Sequence, residues 1–109
     1  MASVSSKAAM FRKLALSFER TEERSHMNHP DFRVAGKIFA TLNQDESLGM
    51  VKLTPDQQEV YAHDYPKVFM PVKGGWGLKG CTHIRLSAAN KEILQNALLA
   101  AWQNAARKC

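Results

Sequence analysis

The sequence predicts a two-layer α+β protein in which helices cover one face of an antiparallel sheet, with the element order αβββαββα. Three observations predict this class. Apolar residues recur with helical spacing near both ends of the chain, the segments between them alternate with a period of two, and a helix-capping signal divides the strands. The 109 residues, 45% of them hydrophobic, are enough for one core, so we predict a single domain, 1–109, with residues 1–5 and 107–109 frayed.

The two ends of the chain carry the helical patterns. Met10, Leu14 and Phe18 follow each other at intervals of four, which predicts a helix over residues 6–18. A longer helix is expected to begin at Ser87 and to run towards the C-terminus. Its predicted buried face consists of Ile93, Leu94, Ala97, Leu98, Ala101, Trp102 and Ala105.

The middle of the chain carries the strand patterns. Residues 19–30 are polar and receive no element, whereas residues 32–42 alternate around Ala35-Gly36 and predict a hairpin with a two-residue turn. Further strands are predicted over residues 49–53, 68–72 and 81–86, and Pro71 places the second of these at an edge of the sheet.

A helix start stands between these strands. Thr54 can cap the helix, Pro55 suits its first position, and Gln57 completes a capping box. The helix is expected to end near His63, because Pro66 disfavours helical geometry at the residue before it.

The charge of +5 is unevenly distributed. The segment 65–91 contains no acidic residue, and a segment of one sign attracts polyanions such as nucleic acid, although many lysine-rich surfaces are simply solvated. Its basic residues are Lys67, Lys73, Lys79, Arg85 and Lys91.

The expected compartment is the cytoplasm. No apolar region typical of an export signal follows Met1, and apolar runs such as 97–102 are too short to cross a membrane. Cys81 and Cys109 are too few for a disulfide framework and are expected to be reduced thiols, with a single bridge as the less favoured alternative.

Several segments resemble the MmcQ/YjbR-like family. The run His29-Pro-Asp-Phe-Arg-Val-Ala-Gly-Lys-Ile-Phe-Ala-Thr-Leu42 resembles its first hairpin, and Val51-Lys-Leu-Thr-Pro-Asp56 its next strand and helix start. Tyr65-Pro66, Trp76 before a strand and the C-terminal helix follow in the family's order, so that the resemblance extends from about Phe11 to Ala106.

This resemblance implies the αβββαββα fold and a DNA-binding protein with a double-wing arrangement of loops. It brings no catalytic residues to this chain. Many members carry a longer polar segment with Asn, Lys and His before the tryptophan, whereas here Val72-Lys-Gly-Gly75 takes that position.

The glycine-rich segment 73–80 is the predicted nucleic-acid site. Lys73 and Lys79 supply charge for phosphates, and Trp76 can stack on a base. Arg85 and Lys91 would extend the site, and Arg33 and Asn90 are weaker additions. The alternative is that the glycines only shape a connection and that Trp76 packs into the core. The segment lacks the Lys-Ser/Thr and the helix of a nucleotide-hydrolysing phosphate loop.

Two histidine patterns suggest chemistry only weakly. His26 and His29 would share one face of a helix as metal ligands, but Pro30 follows and a turn is the simpler interpretation. Cys81 and His83 lie on one strand face, as in cysteine nucleophiles, but no acid or oxyanion motif accompanies them.

We therefore expect a non-enzymatic protein without metal or cofactor that binds DNA with little sequence specificity. The alternative from another class is a protein-interaction module that docks partners on its sheet face, its partner being unknown. An enzyme with a pocket near Cys81, His83 and His26 is the least favoured of the three functions.

Overall fold

The computed structural model describes residues 3–26, 29–43 and 47–107. It confirms the predicted α+β class with an antiparallel sheet. The helices are α1 (Ser3–Leu16), α2 (Pro55–Asp64), the short α3 (Gly75–Leu78) and α4 (Lys91–Arg107), with a 3₁₀ turn over Leu86–Ala88. The strands are β1 (Thr21–His26), β2 (His29–Val34), β3 (Lys37–Leu42), β4 (Leu48–Lys52), β5 (Phe69–Pro71) and β6 (Cys81–Arg85).

Within the described residues, one sheet has the strand order β1-β2-β3-β4-β6-β5, with every neighbouring pair antiparallel. β5 lies at an edge, as Pro71 predicts. Register places Thr41 opposite Met50 and Met50 opposite His83. These three half-buried side chains share the sheet face that points away from the core, which we call the open face.

The core lies between the other sheet face and the helices α1 and α4. Phe11 of α1 is fully buried and its ring centroid is 5.9 Å from that of Phe32 on β2. Tyr61 of α2 stacks on Phe69 of β5 at a centroid distance of 5.0 Å. The predicted face of α4 is confirmed, with Leu94, Ala97, Leu98 and Ala101 buried and Ile93, Trp102 and Ala105 packed against the core.

The two local signals in the sequence have the predicted geometry. Ala35 and Gly36 have φ of 55° and 77°, so the β2–β3 turn is of the two-residue type that needs positive φ at both positions. At α2, Gln57 N–H donates to Thr54 Oγ1 at 3.1 Å, and Thr54 N–H donates to Gln57 Oε1 at 2.9 Å. This reciprocal pair is the predicted capping box.

Strand β1 occupies part of the polar stretch to which the sequence assigns no element. It has no apolar alternation because it is an edge strand, exposed at residues 22–25. Its pairing with β2 places Glu22 opposite Arg33 and Arg24 opposite Asp31. Charged pairs of this kind stabilise an edge and discourage further strand addition, so polarity here indicates an edge rather than a loop.

Helix boundaries also differ from expectation, and α1 ends at Leu16 rather than at Phe18. Ser87 lies in the 3₁₀ turn, and α4 begins four residues later, after Asn90, whose Oδ1 accepts from Ile93 N–H at 2.8 Å. Ser3 to Ser5 and Arg107 are helical, and the remaining residues of the predicted frayed ends, 1–2 and 108–109, lie outside the described residues. No helix in the described ranges is long and apolar enough to span a membrane.

Candidate nucleic-acid interface

The segment from Val72 to Cys81 forms a loop that leads into the first residue of β6 and whose two ends are hydrogen-bonded to each other. Val72 N–H donates to Cys81 O at 3.0 Å, which brings the two ends of the segment together. Between them lies α3, a helical turn that the sequence does not predict because glycine is a poor helix former. Gln58 of α2 stabilises this turn from outside, since its Nε2 donates to Gly77 O at 3.0 Å and to Cys81 O at 3.0 Å.

The glycines of this segment have two different roles. A Cβ at Gly77 would lie 1.6 Å from Val72 O, and one at Gly80 would lie 1.9 Å from Leu53 O. Gly77 therefore allows the segment to pack on its own backbone, and Gly80 allows it to pack on the backbone that follows β4. Gly74 and Gly75 have no atom within 4 Å of an added Cβ and face open space.

Trp76 does not pack into the core. Its side chain on α3 is 62% exposed, which rules out that alternative for the tryptophan. Lys79 Nζ lies 5.4 Å and Lys52 Nζ 5.8 Å from the ring centroid. Both distances are within the range of cation–π attraction. We call Trp76, Lys52 and Lys79 together the Trp76 corner.

A groove of about 850 Å³ adjoins the Trp76 corner. Lys52 and Lys79 line it together with the β2–β3 turn, the start of α2 and the end of α4. Its described lining contains no acidic side chain, although Asp31 pairs with Arg33 at 2.9 Å and offsets that charge. We call this the basic groove, and its basic residues are Arg33, Lys37, Lys52, Lys79 and Arg107.

A second concavity, of about 390 Å³, lies on the open face. Thr41, Met50 and His83 form a row across three strands in its lining, and Trp76 and Lys52 of the Trp76 corner also line it. We call it the sheet-face cavity. Lys52 lines both concavities, so the sheet-face cavity and the basic groove lie next to each other at this residue.

The structure brings together only part of the predicted site. Lys73 and Lys79 flank α3 and lie with Trp76. Arg85 is at the opposite end of β6, about 13 Å from Cys81 along the strand, where its Nη2 contacts Met70 Sδ at 3.2 Å. Lys91 begins α4 in the helical layer beyond that end. Arg85 therefore lies on the open face but at the end away from Trp76, and Lys91 lies in the helical layer.

The weaker additions also separate. Asn90 caps α4, so its side chain has a structural role. Arg33 does line the basic groove, beside the Trp76 corner. Sequence reasoning missed Lys52, which lies on β4 and reaches Trp76 only because β4 pairs with β6 in a register that sets Lys52 opposite Cys81. Cross-strand register of this kind is not encoded in either strand alone.

The histidine patterns do not assemble a metal site within the described residues. His26 and His29 are paired across β1 and β2 rather than stacked on a helix. Residues 27–28 and the side chain of His26 lie outside the described residues. The described part of the chain contains no group of three His, Cys, Asp or Glu side chains placed to hold a metal.

Cys81 and His83 both line the sheet-face cavity, but the thiol is poorly suited to nucleophilic chemistry. Cys81 is free and only 6% exposed. Burial raises the pKa of this thiol above its ordinary value, while the charges of Lys52 and Lys79 oppose the rise. Since the thiolate is the reactive form, a raised pKa leaves Cys81 protonated and inert at neutral pH.

We therefore expect slow alkylation of Cys81. In a Cys109→Ser background, iodoacetamide should modify Cys81 at pH 7 more slowly than it modifies a free cysteine peptide, and the rate should still be rising at a pH where that of the peptide has levelled off. Lys52→Met removes one opposing charge and should slow the reaction further. Intact-mass time courses measure both rates. Alkylation at pH 7 as fast as that of the peptide would contradict an inert thiol.

Comparison with known proteins identifies the family and the fold of this chain. The family model YjbR matches residues 16–104. The crystal structure of Deinococcus radiodurans protein DR2400, a DUF419 domain, is similar with a TM-score of 0.75 and 17% sequence identity, covering 89% of this chain and 76% of that one. At this identity the likeness shows the fold alone. No curated protein sequence matches significantly. Because the family match covers most of the sequence, the chain belongs to the YjbR family.

Proposed function

We propose that this protein is a non-catalytic nucleic-acid-binding protein that acts in the cytoplasm and holds the phosphate backbone with little sequence specificity. The observation that carries the proposal is the Trp76 corner, where an exposed tryptophan lies close to two lysines that line a basic groove. Aromatic rings that stack on bases, placed beside cations that track the backbone, are the usual elements of such sites.

The charge distribution supports phosphate contacts at this end of the molecule. Lys52 and Lys79 line the groove and flank the ring, and Lys73 is exposed on the same segment. Arg85 and Lys91 carry similar charge on a different part of the molecule. The proposal therefore assigns binding to Lys52, Lys73, Trp76 and Lys79, and leaves Arg85 and Lys91 outside it.

The salt dependence of binding tests the proposal. We expect a labelled single strand to bind with an affinity that falls linearly on a log–log plot against salt, since phosphate contacts release counterions. Lys79→Ala should reduce the slope by about 0.7, the value for one contact on a single strand. Fluorescence anisotropy over a salt series measures both quantities.

Lys91→Ala is the matched control, because it removes the same charge far from the Trp76 corner. It should leave the slope unchanged. Equal slopes for Lys79→Ala and the unaltered protein, or no binding at low salt, would contradict the proposal. A duplex titrated in parallel shows whether the protein prefers unpaired strands.

A second candidate function is protein docking, which Leu78 favours. This side chain on α3 is 81% exposed next to Trp76, and adjacent exposed apolar side chains are typical of contact sites between proteins. The two candidates differ in the side chain that they need, since docking depends on Leu78 whereas phosphate binding does not.

A further inference from the structure

The sheet-face cavity has polar groups that the fold itself does not use. His83 lines the cavity, and its ring has no hydrogen-bond partner among the described residues. Its Nδ1 is closed off from solvent, so Nε2 is the ring nitrogen that a ligand in the cavity would reach and to which it could hydrogen-bond. Thr41, on the far side of Met50, adds a hydroxyl to the same row.

The remaining lining is mostly apolar, although it includes His29 and Asn43, and it favours a flat ring. Ile38, Met50 and Val72 line the cavity, and Trp76 stands at its mouth. The cavity volume of about 390 Å³ is within the range of small-molecule sites, which are apolar with a few converging polar groups. A planar heterocycle meets both conditions, because its faces contact apolar side chains and its edge nitrogens reach His83 and Thr41.

The positive charge of the lysines at the sheet-face cavity favours an anionic ligand. Lys52 lines the cavity, and Lys79 lies on the Trp76 ring beside it. The described lining contributes no carboxylate. A ligand whose ring enters the cavity would therefore place an anionic group at Lys52, where the cavity and the basic groove meet.

We propose that the sheet-face cavity binds one unstacked nucleotide, with its base over Met50 and its edge at His83, and its phosphate at Lys52 and Lys79. This deepens the proposed function and rests on it, since the neighbouring phosphates of a strand would then continue along the basic groove. A free mononucleotide presents the same chemistry as a nucleotide at the end or in a bulge of a strand.

Calorimetric titration of the full chain with adenosine 5′-monophosphate tests the proposal, with inorganic phosphate as the probe that lacks a base. We expect the mononucleotide to bind at least tenfold more tightly than inorganic phosphate. His83→Phe keeps a flat ring but removes both nitrogens, and should weaken mononucleotide binding about fivefold, as for one lost hydrogen bond. Thr41→Val, of similar shape, should weaken it about threefold.

Met70→Leu is the control, because Met70 is paired with His83 on the same sheet face but does not line the cavity. It should leave the affinity unchanged. Mononucleotide binding no tighter than that of phosphate, or unchanged in both cavity variants, would overturn the proposal. Circular dichroism verifies that each variant is folded.

The single strand, titrated in the same variants, distinguishes the source of the nucleotide. Weaker binding of both strand and mononucleotide to His83→Phe shows that a base within the strand enters the cavity. Weaker binding of the mononucleotide alone shows that the free nucleotide is the ligand. If the strand binds with its salt slope but the mononucleotide does not bind, this proposal fails and the proposed function stands. If neither binds, both fail.

Discussion

Gly77→Ala is expected to destabilise the protein by about 3 kcal/mol, because the added methyl group has no room. Its Cβ would lie 1.6 Å from Val72 O and 2.8 Å from Val72 C, and backbone atoms cannot move aside as a side chain end can. The α3 turn would have to shift, and the hydrogen bond from Gln58 Nε2 to Gly77 O would be lost with it. Thermal unfolding followed by circular dichroism measures the loss as a lower Tm.

The same change at Gly75 is the matched control. Gly75 begins the same helical turn, but an added Cβ would meet nothing within 4 Å. Gly75→Ala should therefore be neutral or stabilise slightly, by up to about 1 kcal/mol through the unfolded state. A Gly77→Ala protein as stable as Gly75→Ala would contradict the packing of this segment. Gly77→Ala should also weaken strand binding, since α3 carries Trp76.

Trp76→Ala is expected to weaken binding of a single strand by about 1–3 kcal/mol, roughly 5- to 150-fold, because base stacking on an aromatic ring contributes that much. Stability should hardly change, since the side chain is 62% exposed. Trp76→Phe should retain part of the affinity, because a smaller ring still offers a face for stacking. Anisotropy titration at fixed low salt measures the three affinities.

Leu78→Ala is the control for this prediction and also separates the two candidate functions. Leu78 lies two residues from Trp76 on α3 and is more exposed, so truncating it changes the apolar surface without removing the stacking ring. It should leave strand binding unchanged. A loss of strand affinity in Leu78→Ala equal to that in Trp76→Ala would contradict a specific stacking role for the tryptophan.

Local signals predicted most of the fold. The capping box at Thr54 and the turn at Ala35-Gly36 are properties of neighbouring residues, and both have the expected geometry. Strand β1 was missed for the opposite reason, since its place in the sheet depends on pairing with β2 rather than on its own pattern. Charged side chains cover this edge strand and pair with charges on β2. The strand therefore has no apolar alternation from which it could be predicted.

The sequence predicted only those residues of the candidate site that lie in one short segment. Lys73, Trp76 and Lys79 belong to one short segment, so their proximity follows from the chain. Lys52 and His83 join them through the register of β4 with β6, which depends on the whole sheet. Arg85 belongs to the same segment without acidic residues. It lies at the other end of β6, however, and therefore at the far end of the open face.

The fluorescence of Trp76 reports directly whether nucleic acid contacts the Trp76 corner. In a Trp102→Phe background Trp76 is the remaining tryptophan; the change keeps an aromatic ring against Phe18 and loses the hydrogen bond from Trp102 Nε1 to Glu19 O. Adding a single strand at low salt should quench the emission, because a base stacked on the exposed indole deactivates its excited state. The quenching should disappear as salt rises. Binding that is detected by anisotropy but leaves the emission of Trp76 unchanged would show that the nucleic acid binds elsewhere and would contradict the account.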